Sequence, residues 1–198
     1  KLTFEKLTID NHTLDSTLFL TALSNLKELN LTGCRFSPQD LEIIAGLPAL
    51  EKLTLSNCNL STVAGLENAQ KLVYLDLSNN AIRNLEPLSS LLNLRTLKMG
   101  HNALTSLEVL RNLTGLAELD VSYNALTTLA PLSDCYGLTE ANLGENVTSV
   151  GDYAFYYCDK LSTVSGIEKV YNSVLSENNS TVSFSFSANA KGRVMLGE

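Results

Sequence analysis

The sequence lacks tryptophan and has only two histidines and 14 lysines and arginines among its 198 residues. Proton-transfer and metal chemistry therefore have few side chains to use, since histidine is prominent in both. The shortage of basic residues leaves a net charge of −7. This charge argues against a nucleic-acid partner, because lysine and arginine are the residues that contact phosphates. It argues equally against adhesion to an anionic membrane.

Long apolar segments are also lacking. No apolar run reaches the ~18 residues that cross a bilayer, so we predict no membrane insertion. The chain begins at Lys1 rather than methionine and shows no signal peptide, and we expect it to be a processed or excised piece. Hydrophobic residues make up 44% and charged residues 18%, which predicts a folded core rather than disorder.

Leucine and asparagine are present in excess, with 39 and 19 copies, and the excess reflects an internal repeat. The pattern is Leu-x-x-Leu-x-Leu-x-x-Asn-x-Leu, with cysteine, histidine or another apolar residue at some positions. Its units start at Phe4, Leu26, Leu50, Leu72, Leu94, Leu116 and Leu138. Every spacing is 22 residues except one of 24, which identifies the repeat unit.

Each position of the repeat has a physical interpretation. Leucines two residues apart predict a short strand that faces inward, and successive strands stack in parallel with their other side chains on a concave face. The asparagines, such as Asn80 and Asn146, are predicted to turn the chain and to satisfy backbone groups. Apolar residues three apart predict 3₁₀ turns on the convex side. In the longer return, Ser37 as N-cap and Pro38 as N1 predict a short α-helix.

The central units resemble known repeats. Residues 80–94, with Leu85-Glu86-Pro87-Leu88, resemble the 22-residue repeats of internalins, and the same pattern occurs in the leucine-rich regulatory subunit of protein phosphatase. Residues 150–164 are similar to the Ala-Phe-x-x-Cys-x-x-Leu repeat of BspA-like bacterial surface antigens. In that family the packing positions are those held here by Ala154, Phe155, Cys158 and Leu161.

The resemblance implies an α/β fold, a right-handed leucine-rich-repeat solenoid with a parallel concave sheet and a mostly 3₁₀ or irregular convex side. We expect a leucine-rich-repeat domain of about seven or eight units over residues 1–170. Residues 171–198 are expected to form a C-terminal cap or to begin a missing module. Within them Val182, Phe184 and Phe186 alternate with serine, which predicts a strand.

The cysteines favour a structural role. Cys34 and Cys58 hold the turn position in adjacent units, close enough for a disulfide but with poor torsion for one, so buried thiols are favoured and the pairing stays open. Cys135 is expected to be half-buried on the convex side. No Cys-x-x-Cys pair or zinc spacing occurs, and we predict neither metal nor cofactor.

One constellation has the residue types of a catalytic triad. Ser78, His101 and Ser122 lie with Asp76 and Asp120 on three consecutive predicted strands. A shallow concave sheet neither excludes water nor supplies an oxyanion hole. We therefore predict that the protein is not an enzyme.

The exposed positions of the predicted sheet change character along the chain. Early units carry small polar residues, and later units carry aromatic and charged ones, of which tyrosine is favoured at protein interfaces. The candidate partner-binding residues are Tyr74, Asp76, Lys98, His101, Glu118, Asp120, Tyr123 and Glu145. Gly100 and Gly144 are expected to leave room for a partner group. Alternatively, Asp76, Lys98 and Asp120 satisfy one another as a charge ladder and the tyrosines are ordinary surface residues.

Together these features predict a non-catalytic protein-recognition module of a bacterial cell-surface or secreted protein. Its partner is expected to be a host or neighbouring-cell protein. A glycan is the second choice, because Tyr74 and Tyr123 lie on separate strands with a unit between them. The alternatives are a cytoplasmic regulatory or scaffold subunit, which an upstream signal peptide would exclude, and a structural spacer that presents another domain.

Overall fold

The computed structural model describes residues 4–144, 147, 154–166, 183–184 and 194–195. Among these residues, ten short strands form one sheet in chain order. They are β1 Lys6–Thr8, β2 Glu28–Asn30, β3 Lys52–Thr54, β4 Tyr74–Asp76, β5 Thr96–Lys98, β6 Glu118–Asp120, β7 Glu140–Asn142, β8 Thr163–Ser165, β9 Ser183–Phe184 and β10 Val194–Met195. Strands β1 to β9 pair in parallel, and β10 runs antiparallel to β9.

The middle residue of each three-residue strand, β1 to β8, points into the core. These residues stand in register from unit to unit, as in the pairs Leu75 with Leu97 and Leu97 with Leu119. Leu75 and Leu97 are fully buried, and Leu119 is nearly so. The period-two pattern thus places the two flanking residues of each of these eight strands on the opposite, concave side.

The return segments are short helices, mostly 3₁₀, as their three-residue spacing predicts. The 3₁₀ helices are Leu18–Ala22, Leu66–Asn68, Glu86–Leu88, Glu108–Asn112 and Ala130–Asp134, and one α-helix, α1, spans Asp40–Ala45. None of the helices in the described part of the chain has the length and apolar character that a membrane crossing requires. The predicted solenoid, with a parallel sheet on one side and tight turns on the other, is confirmed.

The helix at the longer return is present, but the predicted cap is wrong. α1 begins at Asp40, and Ser37 donates its N–H and its hydroxyl to the Asp40 carboxylate, at 2.8 and 2.7 Å. Thr17, in the preceding return, donates to the same carboxylate. Burial raises the pKa of Asp40, but these hydrogen bonds outweigh burial and hold the pKa below its usual value. Asp40 therefore joins two returns as an acceptor, a role that the cap pattern does not express.

The turn asparagines form the predicted hydrogen-bonded ladder. Asn80 donates its side-chain amide to the carbonyl of Leu55 in the unit before and accepts the N–H of Leu60, both at 2.9 Å. Asn102 and Asn124 repeat this arrangement one and two units later. Asn146, predicted to continue the ladder, lies outside the described residues.

All four cysteines are free, buried thiols. Cys34 and Cys58 take the asparagine position and donate to backbone carbonyls of the preceding unit, at 3.1 and 3.0 Å. Cys135 is fully buried, so the expectation of half-burial is wrong. Cys135 is the C-cap of the 3₁₀ helix Ala130–Asp134, and its side chain points into the core. The thiol lies 3.6 Å from the carbonyl oxygen of Leu110.

Strand β9 confirms a strand within the predicted segment, and it continues the sheet in register with β8. Val182 and Phe186 lie outside the described residues. The division of the chain at residue 170, into a repeat domain and a cap or further module, stays a prediction.

Candidate functional site on the concave face

The concave face of β4 to β7 brings most of the predicted site residues side by side. Parallel pairing aligns Tyr74, Thr96, Glu118 and Glu140 in one row, and Asp76, Lys98, Asp120 and Asn142 in a second row. His101 and Tyr123 follow the ends of β5 and β6. Glu145 lies outside the described residues. Neighbouring strands are about 4.8 Å apart, so residues in one row are within reach of one another.

The aspartates of this face accept hydrogen bonds from the residue two positions ahead of them rather than pairing with Lys98. Asp76 accepts the N–H of Ser78 at 2.9 Å, and Asp120 accepts the N–H and hydroxyl of Ser122 at 3.0 and 2.7 Å. No ion pair joins Lys98 to either flanking aspartate among the described residues; its Nζ lies 5.7 Å from the centre of the Tyr74 ring. The charge-ladder alternative is therefore wrong, because aspartate satisfies a turn two residues ahead of it.

A shallow cleft of about 240 Å³ lies between β5 and β7. Carboxylates of Glu118, Asp120 and Glu140 and the ammonium of Lys98 line it, so the cleft carries an excess of negative charge. Two of the lining residues, Glu140 and Thr96, are not among the predicted site residues. Their place in the first row, beside Glu118, is the sequence signal that identifies them.

His101 and Tyr123 form a stacked pair with ring centroids 4.1 Å apart and planes 11° apart. Both have left-handed backbone conformations, with φ of +55° and +52°. The same turn position in four earlier units holds residues that suit this conformation: Asn11, Gly33, Asn57 and Asn79. Left-handed backbone at other residues costs about 1–3 kcal/mol. The sequence alone shows that the turn position changes from asparagine or glycine to histidine and tyrosine. This change is the signal that identifies the pair.

The glycines of this face leave no room for a partner group, and that expectation is wrong. A Cβ at Gly100 would lie 2.9 Å from the Ser122 hydroxyl, and one at Gly144 would lie 2.7 Å from the Ser122 Cα. The neighbouring unit already fills the space. Gly144 also has a left-handed φ of +73°, which glycine adopts without strain.

The triad-like residues are not arranged as a nucleophile and base. Ser122 is buried and its hydroxyl donates to Asp120. Among the described residues, His101 and Ser122 are joined only through the backbone, by the His101 N–H and the Ser122 carbonyl at 2.9 Å. The imidazole makes no hydrogen bond to the hydroxyl of Ser78 or Ser122 and stacks on Tyr123 instead. The described part of the chain also contains no group of three or more side chains placed to hold a metal ion.

Three family models match the chain, and all describe leucine-rich repeats. A two-copy leucine-rich-repeat model matches residues 48–90, 70–112 and 92–134, a BspA-type leucine-rich-repeat region matches residues 130–192, and a single leucine-rich repeat matches residues 25–47. Together they extend from residue 25 to residue 192. The chain therefore belongs to the leucine-rich-repeat proteins, and its repeats change from the internalin-like to the BspA type along the solenoid.

Solved structures with a similar fold include bacterial leucine-rich-repeat proteins. An internalin (InlF) of Listeria monocytogenes is 26% identical with a TM-score of 0.70, over 78% of this chain and 44% of that chain. Internalin C2 of the same organism is 23% identical with a TM-score of 0.70, over 85% and 76%. A leucine-rich-repeat protein of Leptospira interrogans is 26% identical with a TM-score of 0.71, over 81% and 42%.

This chain thus spans less than half the length of the first and third of these relatives. No curated protein sequence gives a significant match. The leucine-rich-repeat fold is that of a protein-interaction module, whose stacked strands provide an extended concave surface.

Proposed function

We propose that this chain is a non-catalytic protein-recognition module that binds its partner through the concave face of β4 to β7. The observation that most directly supports this proposal is the stacked His101–Tyr123 pair. Four other units fill the same turn position with asparagine or glycine, so the fold has no need of aromatic rings there. Rigid, partly exposed aromatic side chains are the residues that anchor protein interfaces.

The charges of the same face indicate what the partner presents. Three acidic residues and one lysine line the cleft, on the strands whose ends His101 and Tyr123 follow. A partner surface carrying lysine or arginine complements this cleft and would associate faster at low salt. Host or neighbouring-cell proteins with a basic, solvent-exposed segment are therefore the proposed partners.

Site-specific photocrosslinking tests which face is used. A photoreactive phenylalanine derivative replaces Thr96, in the first concave row, or Thr105, exposed in a return segment, as the matched control. Covalent capture of one protein from intact cells through position 96, and not through position 105, supports the proposal. Equal capture through both positions, or capture that survives the H101N/Y123N substitutions, contradicts it.

We further propose that the native protein is displayed on a bacterial surface or secreted, since its matches include BspA-type repeats and internalins. Protease treatment of intact producing cells, followed by mass spectrometry, tests this location. Released peptides of the repeat domain are the expected result. Complete protection, with the protein in the soluble cell fraction, would favour a cytoplasmic scaffold instead.

A further inference from the structure

Three exposed tyrosines form a second aromatic surface in the return segments, away from the concave face. Tyr136, Tyr156 and Tyr157 are 49%, 44% and 50% exposed. The ring of Tyr157 lies edge-on to both others, with centroids 5.8 Å from Tyr136 and 4.7 Å from Tyr156. These three residues are called the tyrosine cluster below.

The repeat does not require aromatic residues at these positions. Tyr136 corresponds, in steps of 22 residues, to Thr114, Leu92 and Gln70. Aligned on the buried Cys135 and Cys158, Tyr156 and Tyr157 correspond to Ser133 and Asp134 of the preceding unit. Packing therefore does not explain three tyrosines side by side.

The backbone holds the cluster in place. The N–H of Gly137, next to Tyr136, donates to the carbonyl of Thr114 in the preceding unit at 3.0 Å. Tyr156 and Tyr157 lie between Phe155 and Cys158, which are buried, and the N–H of Cys158 donates to the carbonyl of Phe155 at 3.0 Å. These bonds fix the backbone, and the edge-on contacts restrict the rings, so the cluster loses less conformational freedom when a ligand binds.

The size and charge of the cluster favour a small neutral ligand. Half of the surface of three tyrosines is roughly 300 Å², well below the ~800 Å² that each partner contributes to a standard protein interface. The nearby charges balance, since Asp134 pairs with Arg111 and the exposed Asp159 is followed by Lys160. A sugar ring has an apolar C–H face and a rim of hydroxyls, which match the apolar ring face and polar tip of tyrosine.

We propose that the tyrosine cluster is a carbohydrate-binding site for one or two rings of a neutral oligosaccharide. This site goes beyond the protein-recognition surface and is independent of it. The sugar rings stack on the exposed phenol rings, and the phenol hydroxyls of Tyr136 and Tyr157 bond the sugar hydroxyls.

Isothermal titration of the full chain with neutral hexasaccharides tests the site, with cellohexaose, chitohexaose, maltohexaose and mannohexaose as probes. Saturable binding of at least one probe is expected. The variants Y157N and Y136T carry the residue types of Asn112 and Thr114 in an earlier unit, and each is expected to weaken that binding roughly tenfold. Y157F, which keeps the ring, is expected to stay within about threefold.

F19N, at an exposed phenylalanine of the 3₁₀ helix Leu18–Ala22 and outside both surfaces, serves as the matched control and is expected to bind the probe like the original chain. Thermal unfolding verifies that each variant folds. If Y157N does not fold, the binding of Y136T decides the outcome. Absence of binding by all four probes at millimolar concentration overturns the proposal. So does full binding by Y136T and Y157N, or an equal loss of binding in F19N. None of these results bears on the concave-face crosslinks.

Discussion

At the scale of single residues, backbone conformation separates the structural from the functional positions of the repeat. Asparagine and glycine at the left-handed turn position suit the chain geometry, and they occupy it in four units. His101 and Tyr123 occupy that position in spite of it, and their stacking recovers part of the strain. Local strain retained on an exposed surface is typical of functional sites.

Replacing both residues with the asparagine of the other units should therefore leave the fold intact. In H101N/Y123N the loss of stacking, about 1 kcal/mol, is offset by relief of left-handed strain at two residues. We expect a midpoint of thermal unfolding that is unchanged or up to about 4 °C higher, measured by circular dichroism. A decrease of more than about 5 °C would show that the pair is a structural element.

The buried thiols couple stability to alkaline pH. Burial raises the pKa of Cys58 from 9.0 to about 11, and it raises those of Cys135 and Cys158 to about 12. Since the unfolded chain loses these protons first, thiol burial contributes its full stability below pH 9 and less as the pH rises toward 11.

Cys58→Ser isolates this effect because a hydroxyl also donates to the carbonyl of Leu31 but does not ionise in that range. Urea unfolding at pH 7.5 and pH 9.8 measures it. The original chain should lose more stability between the two pH values than C58S does. An identical loss in both proteins would show that Cys58 titrates alike in the folded and unfolded chains.

At the scale of elements, the turn of each unit depends on its neighbours for hydrogen bonds. The Asn102 side chain donates to the carbonyls of Leu77 and Met99 and accepts the N–H of Ile82, at 3.0 to 3.1 Å. One amide thus connects two units through both donated and accepted hydrogen bonds, which the thiols at the same position in earlier units, as donors to the preceding unit, do not do.

Asn102→Ala should lower the free energy of unfolding by about 2–4 kcal/mol, since it leaves several backbone groups unpaired. Asn102→Asp should cost at least as much, because a carboxylate accepts but cannot donate to the two carbonyls. Chemical denaturation measures both. Asn93→Ala is the control: Asn93 is exposed and makes a single bond, to Gln70, so its loss should cost under about 1 kcal/mol. Equal costs at residues 93 and 102 would refute the ladder's contribution.

At the scale of the whole molecule, stability comes from stacking of near-identical units. The middle leucine of β5 is fully buried between two neighbouring units, whereas Leu7 of β1 is only partly buried and pairs with a single described strand. The same residue type therefore has a different environment at different points along the solenoid.

Leu97→Ala should cost about 2–5 kcal/mol in free energy of unfolding, through lost burial and a cavity. Leu7→Ala should cost no more than about half of that, because less of its side chain is removed from water. Urea denaturation followed by circular dichroism gives both values. Similar losses of unfolding free energy at the two sites would mean that side-chain burial does not determine how much each unit contributes to stability.

The sequence by itself determined the repeat fold, because a 22-residue period leaves one arrangement in which the leucines of successive strands stack in a core and the turn asparagines can bond to neighbouring units. It also placed Tyr74, Lys98, Glu118 and Asp120 on one face, since strand register follows from the period.

Tertiary structure alone decided how the side chains on that face pair. The Asp120 carboxylate accepts a hydrogen bond from Ser122, and the Lys98 ammonium lies over the Tyr74 ring. The Ser122 hydroxyl occupies the space beside Gly100. Tertiary structure also brought Tyr136 and Tyr157 together from adjacent units. A repeat period fixes which residues are neighbours, but competing hydrogen bonds and local packing in three dimensions select the contacts that form.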